Sequence, residues 1–145
     1  MSISIRNMRN VLIYYYATLQ TLHLLALLQA GREYLTTGQI GFPAATVTTW
    51  SADAIPFLVG TAILDLLMIP LAWVLVWCLI KRDPRERIVE TVALTGSLYS
   101  AGIFLLGTWP SGAWQAHPQA YGLLAILFSP VILLVILELW WRKNP

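Results

Sequence analysis

The sequence has little charge and a single cysteine. Only 11% of its 145 residues are charged and 58% are hydrophobic, whereas roughly a quarter of the residues in a soluble domain carry charge. The lone cysteine, Cys78, excludes an intrachain disulfide and a cysteine-rich metal site. Because so few charges cannot cover the surface of a soluble domain, lipid is the expected solvent.

Four apolar runs are each long enough to cross a bilayer as a helix, which takes about 20 residues. We predict spans at about 11–30, 56–80, 88–107 and 121–141, within a single domain of residues 1–145. The runs are continuous and do not alternate, which excludes the strands of a β-barrel. In lipid, a helix satisfies its own backbone. The sequence therefore predicts an all-α, integral membrane four-helix bundle.

The basic residues predict its orientation. Eight of the nine fall in segments on one side of the predicted membrane: Arg6, Arg9, Lys81, Arg82, Arg85, Arg87, Arg142 and Lys143. The opposite side has only Arg32. Because Lys and Arg accumulate in cytoplasmic connections, we predict a multi-pass protein with both termini in the cytoplasm.

Two ionisable residues fall inside the predicted spans. Asp65 lies about 13 Å into the second span at 1.5 Å per residue, where an unpaired carboxylate costs several kcal/mol. His23 lies near the middle of the first span and shares a helix face with Gln20. If the two side chains meet, they form an acid/base pair in a low dielectric. Alternatively, each is a neutral hydrogen-bonding group that holds helices together.

Three more residues are candidate ligand contacts. Asp53 precedes the second span, where it either caps that helix or lines the entrance to a cavity. Tyr99 brings a hydroxyl into the third span, close to the small residues Gly96 and Ser100. Trp73, two turns beyond the intramembrane acid, is either a packing residue or a ring that faces a ligand.

Motifs for several functions are missing from the sequence. It has no phosphate-binding loop, no nucleophile with a plausible base, and only two histidines, which are far apart. We therefore expect no cofactor and no metal. The basic residues flank membrane spans, so no nucleic acid is expected as a partner. A proton or ion pathway would need a chain of polar residues, which the sequence does not reveal.

The order of motifs resembles the emopamil-binding protein family, the EXPERA-type module of sterol isomerases and related lipid-binding receptors such as the sigma-2 receptor. The resemblance covers about residues 50–139. It rests on Trp50 with Asp53, Asp65 with Pro70 and Trp73, the basic turn from Lys81 to Arg85, Thr95-Gly96 with Tyr99, Phe104-Leu105, and His117-Pro118. In the first span the resemblance is limited to His23.

This resemblance implies a four-helix cup around a hydrophobic cavity, with Asp65 as its polar floor. The implied function is a membrane-embedded binding protein or isomerase for an apolar sterol-like or isoprenoid molecule. In an isomerase, Asp65 and His23 would be the catalytic acid and base, and Asp53, Tyr99 and Trp73 would contact the ligand. The alternative is a non-catalytic accessory subunit, whose partners would be other membrane proteins or copies of itself.

Overall fold

The chain folds into helices. The computed structural model describes residues 2–38, 40 and 54–143, and this part of the chain contains no strand. Its elements are α1 (Ser2–Thr37), α2 (Ala54–Lys81), α3 (Glu86–Thr108), a 3-10 turn (Trp109–Ser111), α4 (Ala113–Ala116) and α5 (Pro118–Lys143). The helices α1, α2, α3 and α5 are long and apolar enough to cross a membrane. This confirms the all-α fold class, with four helices that could cross a membrane, while the orientation stays a prediction.

Neighbouring helices run in opposite directions. Thr21 of α1 contacts Trp73 of α2, and His23, two residues further along α1, contacts Asp65, eight residues earlier along α2. The order of the partners is reversed, so α1 and α2 are antiparallel. The helix α2 also packs against α3, and α1 packs against α5. The bundle therefore goes up, down, up and down, and α1 begins at the end of the bundle where α5 finishes.

The contact between α2 and α3 is close because α3 presents glycines there. A Cβ atom added to Gly107 would lie 2.8 Å from the Cβ of Phe57, and one added to Gly96 would lie 2.9 Å from the Cε of Met68. Real side chains essentially never come so close. The glycines of α3 therefore let a neighbouring helix approach this face closely.

Two apolar clusters fill the interior. The larger one combines residues of α1, α2, α3 and α5: Ile13, Tyr16, Ala17, Ala72, Leu75, Val76, Ala93, Leu94, Val131 and Leu134. The smaller one lies at the opposite end, where the rings of Tyr121 and Trp114 stack 4.7 Å apart. The side chains of Tyr16 and Tyr121 are fully buried, so these two tyrosines belong to the interior of the bundle.

The outer surface of the bundle is apolar as well. In the most apolar window of each candidate span, between 17% and 33% of the residues are buried inside the protein. Large side chains such as Leu35 and Leu106 point outward. Water would disfavour such a surface, because roughly 25 cal/mol is lost for each Å² of apolar area left exposed. Hydrocarbon chains match it, so the surface fits a bilayer.

Candidate functional site

A histidine and a carboxylate meet between α1 and α2. The Nε2 atom of His23 lies 3.0 Å from Oδ2 of Asp65, which is hydrogen-bonding distance. The side chain of His23 is 37% exposed and that of Asp65 is 16% exposed. The sequence left open whether the two residues touch. The structure brings them together and leaves the pair partly uncovered at the side of the bundle.

The pair can hold one proton in two ways. Either the imidazolium form of His23 donates from Nε2 to an ionised Asp65, or a protonated Asp65 donates to a neutral imidazole. Both arrangements are neutral overall, and an apolar medium tolerates a neutral pair far better than a lone charge. Chemically, this is a site that can give up a proton and take one back.

The pair lies at membrane depth. At 1.5 Å per residue, Asp65 is about 16 Å from the start of α2 at Ala54 and about 24 Å from its end at Lys81. In a hydrocarbon core about 30 Å thick that α2 crosses, Asp65 would therefore lie away from both surfaces. Pro70 interrupts the hydrogen bonding of α2 one turn further along. The pair is therefore surrounded by apolar helix surface.

The structure brings one predicted ligand contact to the same interface and places another elsewhere. Trp73 is half-exposed, and its Nε1 donates to Oγ1 of Thr21 at 3.0 Å across the α1–α2 contact. Tyr99 is 65% exposed and faces outward from α3. The hydrogen bond between His23 and Asp65 does not involve Tyr99. Asp53, the third predicted contact, lies outside the described residues.

A buried hydrogen-bond network follows α1 next to the pair. The hydroxyl of Tyr16 lies 2.8 Å from Oγ of Ser97 and donates to the carbonyl of Ala93 at 3.2 Å in one of its orientations. Gln20 donates from Nε2 to Oγ of Ser97 at 3.1 Å. All three polar side chains are buried. The sequence placed Gln20 on the face of His23, but it did not reveal partners from α3.

A second polar cluster lies at the end of the bundle where α1 begins. Arg9 of α1 forms ion pairs with Glu86 and Glu90 of α3 and with Glu138 of α5. Its Nη1 lies 2.7 Å from Oε1 of Glu86. Glu90 is the most enclosed of the three acids, with 1% of its side chain exposed. One guanidinium thus joins three of the four long helices.

Sequence reasoning missed this cluster, because Glu90 and Glu138 lie near the predicted ends of their spans, where charged residues are ordinary. A signal was present in the sequence. Glu86 and Glu90 are four residues apart, and the same helix face continues through Ala93 and Ser97 with the spacing of core positions. Arg9 occupies the centre of these acids.

Among the described residues, no group of three or more His, Cys, Asp or Glu side chains is arranged to hold a metal ion.

A cleft of about 280 Å³ opens beside the Arg9 cluster. It is lined by Arg6, Arg9, Asp83, Pro84, Glu86, Arg87 and Glu138. Arg85 donates to both carboxylate oxygens of Asp83, at 3.0 Å from Nε and 2.8 Å from Nη2. These side-chain hydrogen bonds, followed by one from the Arg85 backbone, lower the pKa of Asp83 to about 2. Asp83 is therefore ionised at neutral pH, and the cleft is lined by charges of both signs.

Comparisons of this chain with models of known protein families, with curated proteins and with solved structures find no match. The resemblance to the emopamil-binding protein family therefore depends on the motifs of the sequence. The function has to be argued from the geometry of the polar sites.

Proposed function

We propose that this chain is a membrane-embedded binding protein or isomerase for an apolar sterol-like or isoprenoid molecule held at the His23–Asp65 pair. The partial exposure of that pair carries the proposal. The contact with Asp65 uses one ring nitrogen of His23, and 37% of the His23 side chain is not covered by protein. In hydrocarbon, leaving a polar ring uncovered is costly. A molecule with one polar group and an apolar body would cover the pair and fit the surface around it.

The pair also has the parts of a proton-transfer catalyst. To move a double bond, an enzyme adds a proton to one alkene carbon and removes another from a carbon next to the resulting cation. Asp65 supplies the first proton, and its carboxylate or the imidazole of His23 takes up the second, so the number of protons is unchanged. One acid with its conjugate base is sufficient for this chemistry.

The same exposure of the His23–Asp65 pair also supports the alternative, a non-catalytic accessory subunit. A helix of another membrane protein could cover the pair in place of a small molecule, and the apolar surface of the bundle would suit it. The two proposals differ in what stays with the protein on purification. A small-molecule site retains a defined apolar compound, whereas an accessory subunit retains other polypeptides.

We also infer that both termini face the cytoplasm. Arg6 of α1 and Arg87 of α3 line one cleft. The basic turn of Lys81 and Arg82 lies at that same end, between α2 and α3. A concentration of basic residues at one end is typical of the cytoplasmic side. The His23–Asp65 pair would then lie in the half of the bilayer away from the cytoplasm.

The test is mass spectrometry of the organic extract from gently purified protein. Wild type, Asp65→Asn and Asp83→Asn are compared, since the last variant makes the same chemical change at an acid outside the site. We expect wild type and Asp83→Asn to retain one defined apolar compound. Asp65→Asn should retain at least about tenfold less, because the loss of a hydrogen bond to a charged group weakens binding by that order.

Two outcomes would overturn the proposal. Bulk phospholipid alone in all three preparations, together with co-purifying polypeptides, would show an accessory subunit. Equal retention in Asp65→Asn would show that the acid is not part of the site. If a compound is retained, incubation in heavy water separates the two activities, because an isomerase adds deuterium to the ligand and a binding protein does not.

A further inference from the structure

Buried polar side chains connect the Arg9 cluster with the His23–Asp65 pair. On α1, residues Arg9, Tyr16, Gln20 and His23 follow one another at spacings of 7, 4 and 3, which keeps them on one helix face. On α3, Ser97 lies two turns beyond Glu90 and meets that face. The sequence showed no polar chain because its members come from different helices.

We call this set of side chains the polar column. Its centre, the hydroxyls of Tyr16 and Ser97, has the geometry of a proton relay. The hydroxyl of Tyr16 has one proton and two neighbours, the carbonyl of Ala93 at 3.2 Å and Oγ of Ser97 at 2.8 Å. When Tyr16 donates to Ala93, Ser97 can donate to Tyr16. When Tyr16 donates to Ser97, the proton of Ser97 is free to point to another acceptor. The two hydroxyls can thus be aligned in either direction.

Both sides of this hydroxyl pair have a buried acceptor. Among the described residues, Oε1 of Glu90 and Oε1 of Gln20 are buried and have no hydrogen-bond partner. Glu90 belongs to the Arg9 cluster on one side. Gln20 lies on the other side, one turn before His23. A buried oxygen of this kind is a typical binding site for an ordered water molecule.

The Arg9 cluster can load the column with protons. Arg9 has one positive charge and faces three carboxyl groups, so a single guanidinium cannot neutralise all of them. An added proton would balance the cluster further, and Glu90 is its most enclosed acid. Glu86 and Glu138 line the cleft at the end of the bundle and connect the cluster to water.

We propose that this column carries protons between the water at the Arg9 end of the bundle and the His23–Asp65 pair. Glu90 gives its proton to a water molecule at Oε1, which passes one to the Tyr16–Ser97 hydroxyls. Ser97 releases its own proton to a water molecule at Oε1 of Gln20, and this water protonates the pair. Each hydroxyl gains one proton and loses one, and Glu90 is reloaded from the cleft.

The experiment measures how fast the pair is protonated from one side. The protein is reconstituted into vesicles, and a thiol-reactive reagent that does not cross membranes reports the fraction of Lys81→Cys protein with the Arg9 end outward. The external pH is then lowered rapidly. Infrared difference bands of the Asp65 carboxyl follow its protonation, and these bands are assigned by their loss in Asp65→Asn.

We compare wild type with Ser97→Ala, Tyr16→Phe and a matched control, Ser100→Ala. Ser100 is another buried serine of α3, and it donates to a carbonyl of α2 outside the column. Ser97→Ala and Tyr16→Phe should each slow protonation at least about tenfold, the change produced by losing one hydrogen bond from a transfer step. Ser100→Ala should match wild type.

Unchanged rates in both column variants would overturn the proposal, because the proton would then arrive by another route. An equal slowing in Ser100→Ala would overturn it too, since altered packing would explain the effect. The inference concerns proton exchange with the His23–Asp65 pair and does not require a bound ligand. Ligand retention and protonation rate are separate measurements, so either proposal can fail while the other stands.

Discussion

Replacing Arg9 by methionine should destabilise the bundle strongly. Methionine keeps most of the apolar stem of arginine but leaves Glu86, Glu90 and Glu138 facing one another without a positive charge. The four side chains are between 1% and 18% exposed, so water screens them poorly. Removing one partner of a buried ion pair costs about 3–5 kcal/mol. We expect a loss in this range, a large share of the roughly 5–15 kcal/mol that stabilises a typical domain.

The free energy of unfolding is measured by titration with a denaturing detergent in mixed micelles. Arg6→Met is the matched control, because Arg6 is exposed and lies one turn before Arg9; a surface change of this kind costs at most about 0.5 kcal/mol. Adding Glu90→Gln to Arg9→Met should recover part of the loss, since it removes one uncompensated carboxylate. If Arg9→Met cost no more than Arg6→Met, the cluster would not stabilise the bundle and the argument would fail.

Two further predictions concern helix packing and orientation. Gly107→Ala should cost about 1–3 kcal/mol in the same titration, as overpacking does, whereas Gly102→Ala, with nothing within 4 Å of the new methyl, should cost nothing; equal effects would contradict close α2–α3 packing. A membrane-impermeant thiol reagent should label Lys81→Cys only after cells are opened, with wild type as the blank because Cys78 is buried. Labelling of intact cells would reverse the proposed orientation.

The four long apolar helices were predictable from the sequence, because about 20 consecutive apolar residues in lipid leave the backbone little choice but a helix. The ends of the helices were harder to predict. The first span was predicted at 11–30, yet α1 extends from Ser2 to Thr37. Its polar ends contain residues such as Arg6 and Arg32, which have a high intrinsic helix propensity, so the helix does not stop where the apolar run stops.

The contacts between helices could be predicted only in part. His23 and Asp65 stood out because ionisable residues are rare inside spans. The burial of Tyr16 and the partners of Arg9 depend on how each helix is rotated in the bundle. A helix that is apolar on all sides gives no sign of which face turns inward. Polar residues that look like boundary residues, such as Glu90, therefore went unrecognised as part of the core.

The Arg9 cluster has a consequence for the assembly of the protein during synthesis. Arg9 belongs to α1, which leaves the ribosome before α3 and α5, the helices that hold its partners. Until α5 has entered the membrane, Glu138 cannot reach Arg9, and Nε of the guanidinium lacks the carboxylate partner that it has in the finished bundle. A chain truncated before α5 would keep that defect permanently, so the ion cluster distinguishes a finished bundle from an unfinished one.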